Sequence, residues 1–310
     1  MSGLNSLSSP SKKILILKSP AKLNLYLKVL NKRKDGYHNL VTIFEKIDLC
    51  DTIMLKARKD KKIKIICRQK GVPQDKSNLA FQAAQLLQDN LKINKGVEIK
   101  IIKRIPIGSG LGGGSSNAAT VLKGLNRLWN LGLKQERLIS FSQKLGSDVT
   151  FFIYNFPFAL GKERGDRIIP LNSLKNLNLW HLLVVPPFSV STALVYKKWD
   201  KLGFFKQKVR LTKIKQSVKM SILALKKNKD FKEDNFLFND LESISMELFP
   251  EIKSIQERLK NLGIKKILMS GTGPALFDIV SSRKEAVSLW RRIKKENNMW
   301  QVFVVRTFRE

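Results

Sequence analysis

The stretch Pro106-Ile107-Gly108-Ser109-Gly110-Leu111-Gly112-Gly113-Gly114-Ser115-Ser116-Asn117-Ala118-Ala119 decides how the rest of the chain is read. Before it, Val97, Ile99 and Ile101 alternate with Glu98 and Lys100, which predicts a strand running on through Ile105 to Ile107. After it, Ala118, Ala119, Val121, Leu122, Leu125 and Leu128 predict a helix from Ser115 to Leu128. Between strand and helix stand five glycines in seven residues, Gly108 to Gly114. Glycine lets consecutive backbone amides approach an anion closely, and a helix start adds unpaired N–H groups and the positive end of a dipole. A simple turn needs one or two glycines, so the run predicts a phosphate-binding loop.

The class of loop follows by comparison. Walker A ends in Gly-Lys-Ser/Thr, and Gly113-Gly114-Ser115 has no lysine. Gly108 to Gly113 fits G-x-G-x-x-G, the pattern of dinucleotide-binding oxidoreductases. That class also wants a buried strand ending in Asp or Glu about twenty residues on. Here Leu131 to Leu138 reads as loop and helix, with Glu136 among polar residues. No His-Arg-Asp or Asp-Phe-Gly segment of a protein kinase occurs.

Working outward, Ile14 to Leu30 predicts two strands around a bend at Ser19-Pro20, followed by turn chemistry at Asn31 to Gly36. Leu40 to Leu49, Asp51 to Leu55 and Lys62 to Cys67 continue as strands. Ser77 or Asn78 caps a helix with Leu79, Ala83, Leu86, Leu87 and Leu91 on one stripe. A short helix at Gln135 to Leu145 precedes Gly146-Ser147-Asp148. Further on come a strand at Leu182 to Val185, a Lys-rich helix at Lys208 to Lys227 and a helix at Ile252 to Leu262. Strands at Lys266 to Met269 and Ala275 to Val280, a helix through Lys294 and a strand at Val302 to Thr307 finish the chain. The expected class is α+β. A change of texture at Gly161 to Gly165 suggests residues 14–165 and 166–310 as two domains, behind a disordered leader at 1–13.

The 310 residues carry a net charge of +33, but the lysines are scattered through nearly every segment, without a dense arm or a nucleic-acid motif. Such a field draws anionic metabolites within a Debye length of about 8 Å. The expected partner is a small molecule, not nucleic acid or a membrane, since no apolar run reaches 18 residues. Cys50 and Cys67 have no neighbouring histidine and read as free thiols, which makes the cytoplasm the expected compartment.

The segment Pro106 to Ala119 resembles the nucleotide loop of the GHMP kinase superfamily. Ser19-Pro20-Ala21-Lys22-Leu23-Asn24-Leu25 and Asp35-Gly36-Tyr37-His38 are similar to one branch of it, which acts on a cytidine diphosphate-linked methylerythritol. Gly146-Ser147-Asp148-Val149 and Gly271-Thr272-Gly273 resemble that branch's later motifs, and the likeness is weakest over residues 200 to 235. Two departures are Thr150, where the family commonly has Pro, and Tyr196, where Phe is frequent.

The resemblance implies a two-domain α+β fold with the active site in the cleft, and ATP-dependent phosphorylation of the methylerythritol 2-hydroxyl. It implies Lys22 and Asp148 as catalytic residues, Asp148 taking the hydroxyl proton. Pro106 to Ser116 would hold the nucleotide, with Asn78 and Lys103 at adenine. Asn24, Tyr37, His38 and Tyr196 would hold the cytidine end, with cytosine between the two tyrosines and Asn24 and His38 reading its edge. Magnesium should accompany ATP, with Ser116 as the one candidate ligand. Homoserine or mevalonate-type kinases, and a nucleotide-binding module without catalysis, are the alternatives, and Asp35-Gly36-Tyr37-His38 argues against the former.

Overall fold

The computed structural model describes residues 14–203, 211–227, 237–264 and 266–309. The leader at 1–13, and the first residues of the helix expected from Lys208, lie outside them. Ile14–Lys32 forms one strand, β1, antiparallel to β2 (His38–Arg58), which is also unbroken where two strands were expected. The bend expected at Ser19-Pro20 is a register shift between Pro20 and Ala21. Proline has no N–H to give the ladder, so a bulge absorbs it and re-aims the residues beyond, Lys22 among them. A second shift lies between Asn24 and Tyr26.

β2 serves three partners. Beyond β1, its second half pairs with β4 (Gly96–Ile102) and its first half with β5 (Phe158–Glu163). β3 (Ile63–Cys67) lies parallel to β4, and β6 (Arg167–Pro170) closes a hairpin with β5. The short β8 (Phe238–Asn239) returns from the second half of the chain to run parallel to β1, completing a seven-stranded sheet. The domain boundary expected at 165 falls in the β5–β6 turn, and both of those strands belong to this sheet.

Helices α1 (Leu79–Leu91), α2 (Gly113–Leu128), α3 (Gln135–Leu145) and α4 (Ser147–Ile153) pack on one face of the sheet through Ala83, Leu87, Leu122, Leu125 and Phe141. A second sheet, in the order β11 (Gln301–Arg306), β7 (Trp180–Val185), β10 (Leu276–Val280), β9 (Leu268–Met269), packs Leu183, Val185 and Phe277 against Leu23, Leu25 and Ile47. Residues 19 to 27 of β1 are therefore buried without interruption, which is why their sequence alternates only in part. Helices α5 (Thr192–Lys201), α6 (Leu211–Lys227), α7 (Glu242–Leu248), α8 (Pro250–Asn261) and α9 (Arg283–Glu296) belong to the second half of the chain. The two sheets are tied at a buried point: Glu45 accepts from Thr307 Oγ1 at 2.7 Å and pairs with His181 at 3.0 Å. Among the described residues no helix is long and apolar enough to cross a membrane.

One buried carboxyl in this second layer gives a stability test. Asp278 on β10 is 9% exposed, and burial, with Glu285 adding to it and His181 opposing, pushes its carboxyl from 3.8 up to about 7. The unfolded chain then releases this proton earlier than the folded one, so stability falls as pH rises from 3.8 through 7. Asp278→Asn removes the charge, and calorimetry should show it more stable than wild type at pH 8 by about 2 kcal/mol, a gain that shrinks towards pH 4.

Candidate active site

The nucleotide loop is shaped by its glycines. Gly110 (φ +81°) lies so close to the turn after β9 that a Cβ would sit 2.3 Å from the Ser270 carbonyl oxygen. Gly112 (φ +69°) is the N-cap of α2, and a Cβ there would meet Lys22 Cγ at 3.0 Å. The Ser116 N–H already bonds Gly112 O at 2.9 Å, leaving the N–H groups of Gly113, Gly114 and Ser115 without intrahelical partners. They face a cavity of about 360 Å³, walled also by Asn78, Lys103, Pro106, Ile107 and Gly108. Asn78, not Ser77, caps α1: its Oδ1 accepts from Ala80 N at 2.9 Å while its amide donates to Pro73 O at 2.6 Å. Two further residues of that wall, Ser109 and Leu111, are buried. Leu111 is core, 1% exposed, and Ser109 has its hydroxyl on Pro106 O at 2.7 Å.

The floor of this cavity rests on Asp51. Fully buried on β2, it accepts from the backbone N–H groups of Arg104 and Ile105 at 2.8 and 2.9 Å and from Asn117 Nδ2 at 2.9 Å, and it pairs with Lys103. Asn117 also donates to Ser19 Oγ at 2.9 Å, and Ser19 bonds Ser116 Oγ at 2.8 Å. Ser116 is thus fully buried and off the cavity wall. Sequence reading missed Asp51, whose one signal was a carboxylate opening an apolar strand.

Lys22 and Asp148 meet where this cavity joins a larger one of about 870 Å³; Gly110 and Gly112 line both. Lys22 Nζ lies 3.7 Å from Asp148 Oδ2, with side-chain exposures of 5% and 34%. Lys22 reaches this place because the bulge turns it inward and its backbone N–H bonds Leu111 O at 3.0 Å. Asp148 sits in the first turn of α4, where the dipole favours a carboxylate. Burial holds the Lys22 ammonium below its ordinary 10.5, while Asp148 pulls the other way. Lys22 also donates to Asn24 Oδ1, and the Asn24 amide to Thr42 Oγ1 at 2.8 Å. Asn24 therefore stands beside the lysine, between the first two of the three register shifts of β1.

The larger cavity runs between the β1–β2 hairpin and α5, a helix that sequence reading did not find. Tyr37 is 56% exposed on the hairpin, with the Arg164 guanidinium 5.2 Å over its ring. His38 and Tyr196 stack with ring centroids 5.0 Å apart and an interplanar angle of 26°. His38 Nε2 lies 2.7 Å from Asp200 Oδ1. Burial, with the charges of Asp148 and Asp240 behind it, pushes the Tyr196 phenol well above its ordinary 10, so it stays protonated.

A cationic lysine beside a partly exposed carboxylate, at the end of a glycine loop, suits deprotonation of a hydroxyl next to a bound phosphate. The GHMP kinases N-terminal domain matches residues 78–156, and the GHMP kinases C-terminal domain residues 221–298. A 4-diphosphocytidyl-2-C-methyl-D-erythritol kinase of Shouchella clausii (strain KSM-K16) is 39% identical over 90% of this chain and 90% of its own length. One of Citrifermentans bemidjiense is 40% identical over 95% and 99%. The chain belongs to the 4-diphosphocytidyl-2-C-methyl-D-erythritol kinase family. A solved structure described as 4-(cytidine 5'-diphospho)-2C-methyl-D-erythritol kinase superposes with a TM-score of 0.74 at 29% identity, covering 95% of this chain and all of that one. This family member is an α+β GHMP kinase, and its candidate site lies between the glycine loop and β1–β2 hairpin of the first half of the chain and α5 of the second, in keeping with the cleft that the resemblance implied.

Proposed function

We propose that this kinase transfers the γ-phosphoryl group of ATP to the 2-hydroxyl of 4-diphosphocytidyl-2-C-methyl-D-erythritol, in the non-mevalonate route to isopentenyl diphosphate. The observation that carries the reading is the Lys22–Asp148 pair, 3.7 Å apart at the junction of the two cavities. One cavity holds the triphosphate on the amides of Gly113, Gly114 and Ser115, with adenine towards Asn78 and Lys103. The other holds the acceptor, its cytosine between Tyr37 and Tyr196 and its methylerythritol at Asp148.

Asp148 accepts the hydroxyl proton as the substrate oxygen bonds to the γ-phosphorus, and the bond to the bridging oxygen breaks to release ADP. Lys22 pairs with the carboxylate and offsets charge on the transferring phosphoryl oxygens. Asn24 fixes the direction of the ammonium, a role different from the cytosine contact that the resemblance implied.

Magnesium fits this site as a passenger of the nucleotide. Among the described residues no group of three or more His, Cys, Asp or Glu could hold a metal, and the only carboxylates lining either cavity are Asp148 and Asp200. A hard cation with few protein ligands keeps phosphate oxygens and water, and its charge would ease phosphoryl transfer. Asp148 is the carboxylate within reach, and Ser116 is off the wall. The proposed compartment is the cytoplasm, in keeping with the free thiols Cys50 and Cys67.

The test is ADP release with Mg-ATP and the cytidyl acceptor, beside homoserine and mevalonate. Turnover with the cytidyl acceptor alone is expected. Turnover with another acceptor would overturn the substrate, and silence with all three would overturn the reaction.

A further inference from the structure

We infer that Asp200, with Lys32 and His38, clamps α5 against the β1–β2 hairpin and so positions Tyr196 as the platform for the acceptor's base. The inference rests on the acceptor pocket proposed above and assigns it a positioning residue. Asp200 lies four residues after Tyr196 on α5, so both face the hairpin. One oxygen, Oδ2, meets Lys32 Nζ at 2.5 Å; the other, Oδ1, meets His38 Nε2 at 2.7 Å. The imidazole, whose side chain is 4% exposed, lays its face on the Tyr196 ring. All four residues line the acceptor cavity. With one ring nitrogen on a carboxylate and one face on Tyr196, His38 acts through the tyrosine more than by reading a base itself.

The contact joins elements from the two halves of the chain, but it does not hold the halves together. That is done by the buried Glu45, His181 and Thr307 cluster, the Phe308 N–H to Lys46 O bond at 2.8 Å and the Ser270 contact with Gly110 O. Losing the clamp should leave the fold and the nucleotide site intact while loosening one wall of the acceptor pocket. The order of that wall, set during folding, would then have to be set by the ligand.

Steady-state kinetics of Asp200→Asn test this. The KM for the cytidyl acceptor is expected to rise about 10- to 30-fold, with kcat and the KM for ATP within about 3-fold of wild type. Asp200→Glu should restore most of the loss. His38→Gln combined with Asp200→Asn should cost no more than about 2-fold beyond the worse single variant, because the two share one interaction. Lys32→Met, at an ammonium 43% exposed, should give a smaller rise of about 2- to 4-fold and serves if the Asp200 variants do not fold. An unchanged acceptor KM, a loss shared equally by both substrates, or effects of His38 and Asp200 that multiply would overturn the clamp. Calorimetric titration with CDP separates this from the function: a wild type that binds CDP without turning over the acceptor sinks the reaction. A tenfold weaker CDP affinity in Asp200→Asn still upholds the clamp, and equal affinities refute it.

Discussion

Asp148→Asn should lower kcat by about 10² to 10⁴-fold while leaving the protein folded and both KM values within a few-fold of wild type. The size follows from the role: an amide of the same shape cannot take the hydroxyl proton, so the loss is confined to the chemical step. The fold should tolerate the change because the Asp148 side chain is 34% exposed and, among the described residues, its ion-pair partner is Lys22 alone. Asparagine forfeits only the dipole's preference for a carboxylate in the first turn of α4, about 0.3 to 1 kcal/mol. Single-turnover rates at saturating Mg-ATP and acceptor give the comparison, and circular dichroism checks the fold. Near-normal turnover with unchanged folding would remove Asp148 from the base role and leave positioning and charge stabilisation as the whole of catalysis.

How this site comes together shows what a single sequence can and cannot carry. The nucleotide loop is local: strand, glycines and helix follow one another within a few dozen residues, so the φ demands of Gly110 and Gly112 leave a direct trace in composition. Lys22 is different. Without the motif around it, it is one lysine in a chain of 58 Lys and Arg, and the bulge at Pro20 that aims it inward looks in sequence like a break between strands. Asp51 and Asp200 left almost no trace, because what defines them is pairing across 52 residues to Lys103 and 162 residues to His38. Period and propensity report the surroundings of an element, not its distant partners.

Helix α5 was hidden for a related reason. Pro186, Pro187, Ser189 and Ser191 precede it and read as loop, and only the structure shows Ser191 capping it, with its hydroxyl accepting from Leu194 N at 3.4 Å. The strands β5 and β6 were lost because Gly161 and Gly165 look like a linker. Gly161 is in fact where β5 crosses Phe44 of β2 so closely that a Cβ would sit 2.7 Å from the ring. Glycine marks close approach inside a sheet as readily as it marks a joint between domains.

Lys22→Met should separate activity from stability most sharply, because the two are expected to move in opposite directions. Turnover should fall by about 10² to 10³-fold, the scale for losing one preorganised charge at a transferring group. Stability should hold or rise, since the ammonium is buried beyond what Asp148 and the Asn24 oxygen repay, which is why burial lowers its pKa. The sign can be checked through pH. With its folded-state pKa below the unfolded 10.5, Lys22 gives up its proton in the folded chain first, so wild-type stability gains as pH climbs between the two values. Over the same range wild-type kcat should decline as the ammonium is lost. In Lys22→Met both trends should vanish together, the low kcat no longer falling and the alkaline gain in melting temperature absent. A variant that keeps the wild-type alkaline limb would mean that some other group titrates there, and the charge assigned to Lys22 would have to move with it.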